Sequence, residues 1–143
     1  MKRSTLFFAM GTCTLVGLLV SVYLTVLSFN PPSSCPIGNF AFFSCNDVLW
    51  SKYSHFYGAS VALLGLIWFI IAAGLLVVAW RNERFVRIVF AWSMLGAAGV
   101  AAFVYTEIFL LGSICPFCTI AHVSGLAILA LSALALRRPL KTG

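Results

Sequence analysis

Residues 114–138 read ICPFCTIAHVSGLAILALSALALRR. Between Pro116 and Leu136 the stretch has no Asp, Glu, Lys or Arg, and it stops at Arg137-Arg138-Pro139. A helix crosses roughly 30 Å of hydrocarbon with about 20 apolar residues, at 1.5 Å per residue. The run has that length and lacks the period-2 alternation of a barrel strand. Its start is marked as well. Pro116 suits the first helical position, where a missing N–H would have no partner anyway.

Three similar runs lie upstream. The first covers about residues 5–29 and ends at Asn30-Pro31-Pro32. The second covers about 58–80 and ends at Arg81-Asn82-Glu83-Arg84. The third covers about 85–111, with one early interruption at Arg87. The sequence therefore predicts an all-α integral membrane protein, a bundle of four transmembrane helices forming one membrane domain over residues 1–143. Composition agrees: 62% of the 143 residues are apolar and 8% are charged, against roughly 25% charged in soluble domains. The mean hydropathy is +1.08. So little polar surface excludes a soluble enzyme, a disordered chain and a nucleic-acid reader.

Lys and Arg placement sets the expected orientation. Lys2 and Arg3 precede the first span, Arg81, Arg84 and Arg87 separate the second from the third, and Arg137, Arg138 and Lys141 follow the fourth. In an even-numbered bundle all of these fall on one side, and Lys52 alone falls on the other. Both termini and the 81–87 turn are expected in the cytoplasm. Residues 30–57 and the 112–114 turn are expected outside. The competing reading of the first run, a cleaved signal peptide, conflicts with its length, since a signal core has only 7 to 15 apolar residues.

Of the five cysteines, Cys13 sits inside the first span, Cys35 and Cys45 in the outer loop, and Cys115 and Cys118 at the outer end of the fourth. All but Cys13 thus lie on the side where disulfides persist. In Cys115-Pro116-Phe117-Cys118, the first cysteine stands at or just before the helix cap and the second in the first turn. Residues three apart share a helix face. The helix N-terminus favours a thiolate through its dipole and unpaired N–H groups. Two other readings stay open: a static disulfide closing a tiny loop, and a zinc site using all four thiolates. The second would normally use two close pairs, and Cys35 and Cys45 are ten apart.

The outer loop, residues 30–57, is long for a compact protein and rich in aromatics, among them Phe40, Trp50, Tyr53, Phe56 and Tyr57. Loops of that length are usually functional or disordered. A short amphipathic helix is expected from about Asn46 to Phe56, with Leu49, Tyr53 and Phe56 on one face. It would form a lid over the outer mouth, or alternatively an interfacial aromatic belt. Two dithiols within reach pass a disulfide by thiolate attack through a mixed disulfide. The chain has no haem or iron–sulfur ligand set. A lipid-soluble quinone entering between the helices would be the electron acceptor, meeting Cys118.

These features resemble the vitamin K epoxide reductase family in its small prokaryotic form. The resemblance rests on Cys35 and Cys45, on the run from Cys45 through Asn46, Asp47, Val48, Leu49 and Trp50 to Ser51, on Phe56-Tyr57-Gly58, and on Tyr105 to Cys118. DsbB-type quinone reductases share the logic but carry Cys-x-x-Cys in the first outer loop, the reverse of this order. The resemblance implies a four-helix membrane bundle around a quinone headgroup. It implies that Cys118 reacts with the quinone, that Cys115 exchanges with Cys45, and that Cys35 is the outermost thiol and meets an external protein. Ser51 and Asp47 become structural residues of the lid. The implied activity is a membrane thiol-disulfide oxidoreductase, in a prokaryotic cell membrane with its site on the periplasmic or extracellular face. A quinone of menaquinone, ubiquinone or vitamin K type accepts the electrons, without a metal. Many prokaryotic members carry a fused thioredoxin-like domain; here the chain ends at Gly143, so a separate thioredoxin-like (DsbA-like) partner is expected.

The chain also departs from the family. Gly58-Ala59-Ser60 lacks the proline that many prokaryotic members have after this glycine. Animal members use an asparagine near here to bond a quinone oxygen; Ser60 or Tyr57 is the expected substitute, with Leu49 as a further quinone contact. Animal members have a tyrosine four residues after the second Cys-x-x-Cys cysteine, where this chain has His122. His122 is i,i+4 from Cys118 and so on its face, as a donor to quinone or as a packing residue. Glu107 lies in the third span, where carboxylates default to a functional hypothesis, here proton transfer. His55 is a candidate for assisting thiol chemistry in the lid. Ser93, Ala97 and Ala101, with Gly96 beside Val100, form a small-residue stripe for helix packing.

Two other functions compete. The same centre run for its reduced product would be a quinone or vitamin K epoxide reductase. A small four-helix metal or drug transporter would place an ionisable group at the midplane and would not depend on quinone.

Overall fold

The computed structural model describes residues 3–30, 48–49, 55–56 and 59–137. Among them, four helices are long and apolar enough to cross a membrane. Helix α1 spans Arg3–Phe29, α2 Val61–Arg81, α3 Val86–Tyr105 and α4 Pro116–Leu136. Helices α1 and α4 match expectation within two residues at both ends, and α3 does so once its terminal π-helical turn, Thr106–Leu111, is included. The exception is the start of α2. Residues 55–56 and 59–60 form a two-residue antiparallel pair, β1 with β2, so the helix begins at Val61 rather than Gly58.

That hairpin also corrects the expected lid helix. His55 and Phe56 are extended and paired with Ser60 and Ala59, which removes Phe56 from any helical face shared with Leu49. Val48 and Leu49 are helical. The rest of the expected lid helix, Asp47, Trp50, Ser51 and Tyr53 included, lies outside the described residues.

The helices form a ring. Helix α1 packs on α4 and α2, and α3 packs on α4 and, least closely, on α2. At one end Phe7 and Phe8 meet Trp80 edge to face, with ring centroids 5.3 and 6.0 Å apart. The same end holds a cluster of Phe7, Met10, Phe69, Ala79, Val86, Val89 and Ile128. Arg81, Arg84, Arg87 and Arg137 lie toward this end. The turn between α2 and α3 is held by Asn82, whose side chain accepts from the Arg84 N–H at 3.1 Å. At the opposite end a second cluster joins Leu24, Leu49 and Cys115.

Large apolar side chains cover the outside: Phe8 and Phe109 are each 71% exposed. In water such a surface would drive aggregation; in lipid it is the solvated face. Hydroxyls inside the spans bond back to their own helix, as lipid requires. Thr14 donates to Met10 O at 2.8 Å, Thr25 to Ser21 O at 2.7 Å and Ser93 to Val89 O at 2.8 Å. The small-residue stripe on α3 is realised in part. Ser93 is buried and Gly96 lies under the Trp68 indole, but Ala101 is exposed.

Candidate active site

Cys115 is the N-cap of α4, with extended backbone (φ −91°, ψ 114°) and Pro116 following at the first turn. Its Sγ accepts a hydrogen bond from the Cys118 N–H at 3.3 Å. Its carbonyl accepts from the Thr119 N–H at 2.9 Å and from Thr119 Oγ1 at 3.0 Å. The sulfur therefore sits where the backbone of the first turn stabilises negative charge. Cys115 is fully buried, packed with Leu24 and Leu49, with Val48, Phe117 and Cys118 alongside. Tyr23 of α1 braces Phe117, ring centroids 5.0 Å apart.

Cys118, half-buried beside Cys115, lines a cavity of about 250 Å³ inside the ring, as do Leu24 and Leu49. Leu49 and Ser60 close its outer end, and Trp68, Gly96, Gly125 and Phe69 line its depth. His122 lines it one turn below Cys118, its ring stacked on Phe103 of α3 with centroids 6.3 Å apart and planes 9° from parallel. Ser60 caps α2 by position, but its side chain makes no cap hydrogen bond. Glu107 of α3 also lines the cavity and is only 6% exposed.

The family model for the Vitamin K epoxide reductase family matches residues 8–133, most of the chain. The chain belongs to this family. As a vitamin K epoxide reductase family member it is an oxidoreductase of quinone or vitamin K epoxide reductase type, built as a multi-pass membrane protein. A comparison with curated proteins gives no match.

Of the residues expected at this member's site, the structure brings Cys115, Cys118, His122, Ser60 and Leu49 together at one end of the bundle. Cys35, Cys45, Asp47, Ser51 and Tyr57 lie outside the described residues. Sequence reading missed Trp68, Phe103 and Ser21 as cavity walls. Nothing local marks them, because which apolar face of a membrane helix points inward depends on its neighbours and not on a polar stripe.

Proposed function

We propose that this protein passes electrons from a thioredoxin-like partner through Cys35 and Cys45 to Cys115 and Cys118, and from there to a quinone. The result is disulfide formation outside the cytoplasm. The carrying observation is the position of Cys118, at once on the wall of an apolar cavity and hydrogen-bonded through its N–H to the Cys115 sulfur. Cys118 on this reading meets the lipid-soluble acceptor, while the buried Cys115 packs beside it against Leu49. A quinone headgroup suits this cavity, which is apolar with few polar groups, as ligand sites generally are. Helices α2 and α3 pack least closely, and Leu64 and Leu95 line the cavity between them while also facing outward. That seam suits the isoprenoid tail.

In turnover, Cys118 as thiolate attacks the quinone, and Cys115 then attacks the Cys118 sulfur. One S–S bond forms, two S–H bonds are lost and the quinone gains two electrons and two protons. The Cys115/Cys118 disulfide is then reduced again by the loop pair through mixed disulfides. Clustering of the arginines at the end away from Cys115 and Cys118 supports a cytoplasmic placement of that end.

Purified protein mixed with dithiothreitol and a short-chain quinone tests the reading. Quinone reduction followed optically is expected, with a charge-transfer band when the Cys118 thiolate lies beside the ring. Cys118→Ser is expected to abolish both. Full turnover in Cys118→Ser would overturn the assignment.

A further inference from the structure

Making a quinol requires protons as well as electrons, and the cavity walls are almost wholly apolar. Besides Cys118 and His122, the described titratable side chain on those walls is Glu107, and no Lys, Arg or Asp among the described residues joins them. Ser21 of α1 and Ser60, the residue before α2, also line the cavity, as does Thr106, the sequence neighbour of Glu107. A carboxyl at this depth is costly. Here it is more than nine-tenths buried and lies on the cavity wall.

The backbone around it is unusual in a way that serves its position. Helix α3 ends in a π-helical turn, Thr106–Leu111, which carries Glu107. Such turns insert a residue into the helical register and are frequent at functional sites. The Glu107 carbonyl accepts from the N–H of Gly112, which caps the turn with φ 64°, and from the Ser113 N–H at 3.2 Å. The Glu107 carbonyl is thus satisfied by backbone, and its side chain lines the cavity.

Glu107 of α3 and Cys118 of α4 line the same cavity. Phe103 and His122 stack across the α3–α4 seam at one level. Helix α3 runs outward and α4 inward, so one turn outward from this pair lies Glu107 on one helix and Cys118 on the other.

We propose that Glu107 is a catalytic residue, holding a proton in the apolar cavity and delivering it to a quinone oxygen as the Cys115/Cys118 pair supplies the electrons. The inference rests on the quinone reading above. The balance closes without a further reactant. Two thiols lose two protons and two electrons to one S–S bond, and the quinone gains two O–H bonds. Glu107 gives up one proton to the ring oxygen and regains one of those released by the thiols, unchanged over the cycle.

The test uses the full chain in detergent with menadione as the quinone and dithiothreitol as reductant. Glu107→Gln keeps the shape and cannot give up a proton. It is expected to lower kcat for menadione by about 10²-fold or more, with KM little changed and with reduction of the Cys115/Cys118 disulfide by dithiothreitol proceeding at its normal rate. Glu107→Asp, which retains the acid, is expected to recover part of kcat. Infrared difference spectra should show a carboxylic-acid C=O band that shifts when menadione binds and is missing in Glu107→Gln. An unaltered kcat in Glu107→Gln, or no band shift in the unaltered protein, overturns the proposal. An equal loss of thiol exchange and quinone reduction overturns it in favour of a structural role. If the unaltered protein is itself unable to reduce menadione, the quinone reading falls and Glu107 with it.

Discussion

Cys115 and Cys118 are three residues apart and differ in burial: the first is fully buried against Leu24 and Leu49, and the second is half-buried and lines the cavity. On the proposed reading, that difference divides the labour of the pair. Cys45→Ser is expected to leave quinone reduction by dithiothreitol intact and to abolish reduction driven by a thioredoxin-like protein; parallel assays with the two reductants check it. His122 is the polar group one turn below the reacting sulfur, held flat against Phe103. A hydrogen bond to a neutral acceptor contributes about 0.5 to 1.5 kcal/mol. His122→Ala should therefore raise the quinone KM by roughly threefold to tenfold while thiol exchange continues. An unchanged KM would return His122 to a packing role.

At the scale of the element, close approach between helices depends on glycine at a few points. A Cβ on Gly17 of α1 would run into the Phe69 ring of α2, whereas a Cβ on Gly11 of the same helix would meet nothing. Overpacking of this kind costs about 1 to 3 kcal/mol. Gly17→Ala is expected to lower the unfolding temperature in detergent, and Gly11→Ala is expected to leave it unchanged or slightly raised. A Gly17→Ala protein as stable as the parent would show that α1 and α2 can shift apart without loss. Gly112 is different, since its need is conformational: open space surrounds it, but its positive φ disfavours any side chain.

At the scale of the whole molecule, the four helices pack on a buried cluster toward the arginine-bearing end and surround a cavity toward the end that holds Cys115 and Cys118. If the arginine-bearing end is cytoplasmic, as proposed, a membrane-impermeant maleimide added to intact cells should label reduced Cys35 and leave thiol tags at either terminus unlabelled. Labelling of a terminal tag from outside would reverse the orientation.

The number of spans, their near-limits and the place of Cys115 and Cys118 at a helix start were legible because each depends on local quantities. Run length against bilayer thickness, a proline at the first turn and arginines after the last Leu all act within one helix. Other features were decided only by tertiary structure. The lid could not be read to Phe56 as a helix, because pairing of residues 55–56 with 59–60 satisfies the backbone another way and delays α2 to Val61. Trp68 and Phe103 became cavity walls, and Ala101 turned outward, because lipid and protein interior are equally apolar. A membrane helix carries no polar face to set its rotation, so its neighbours set it. Glu107 stood out in the sequence as a carboxylate within a span. Its place on the wall of the cavity that Cys118 also lines came only from the packing of α3 against α4.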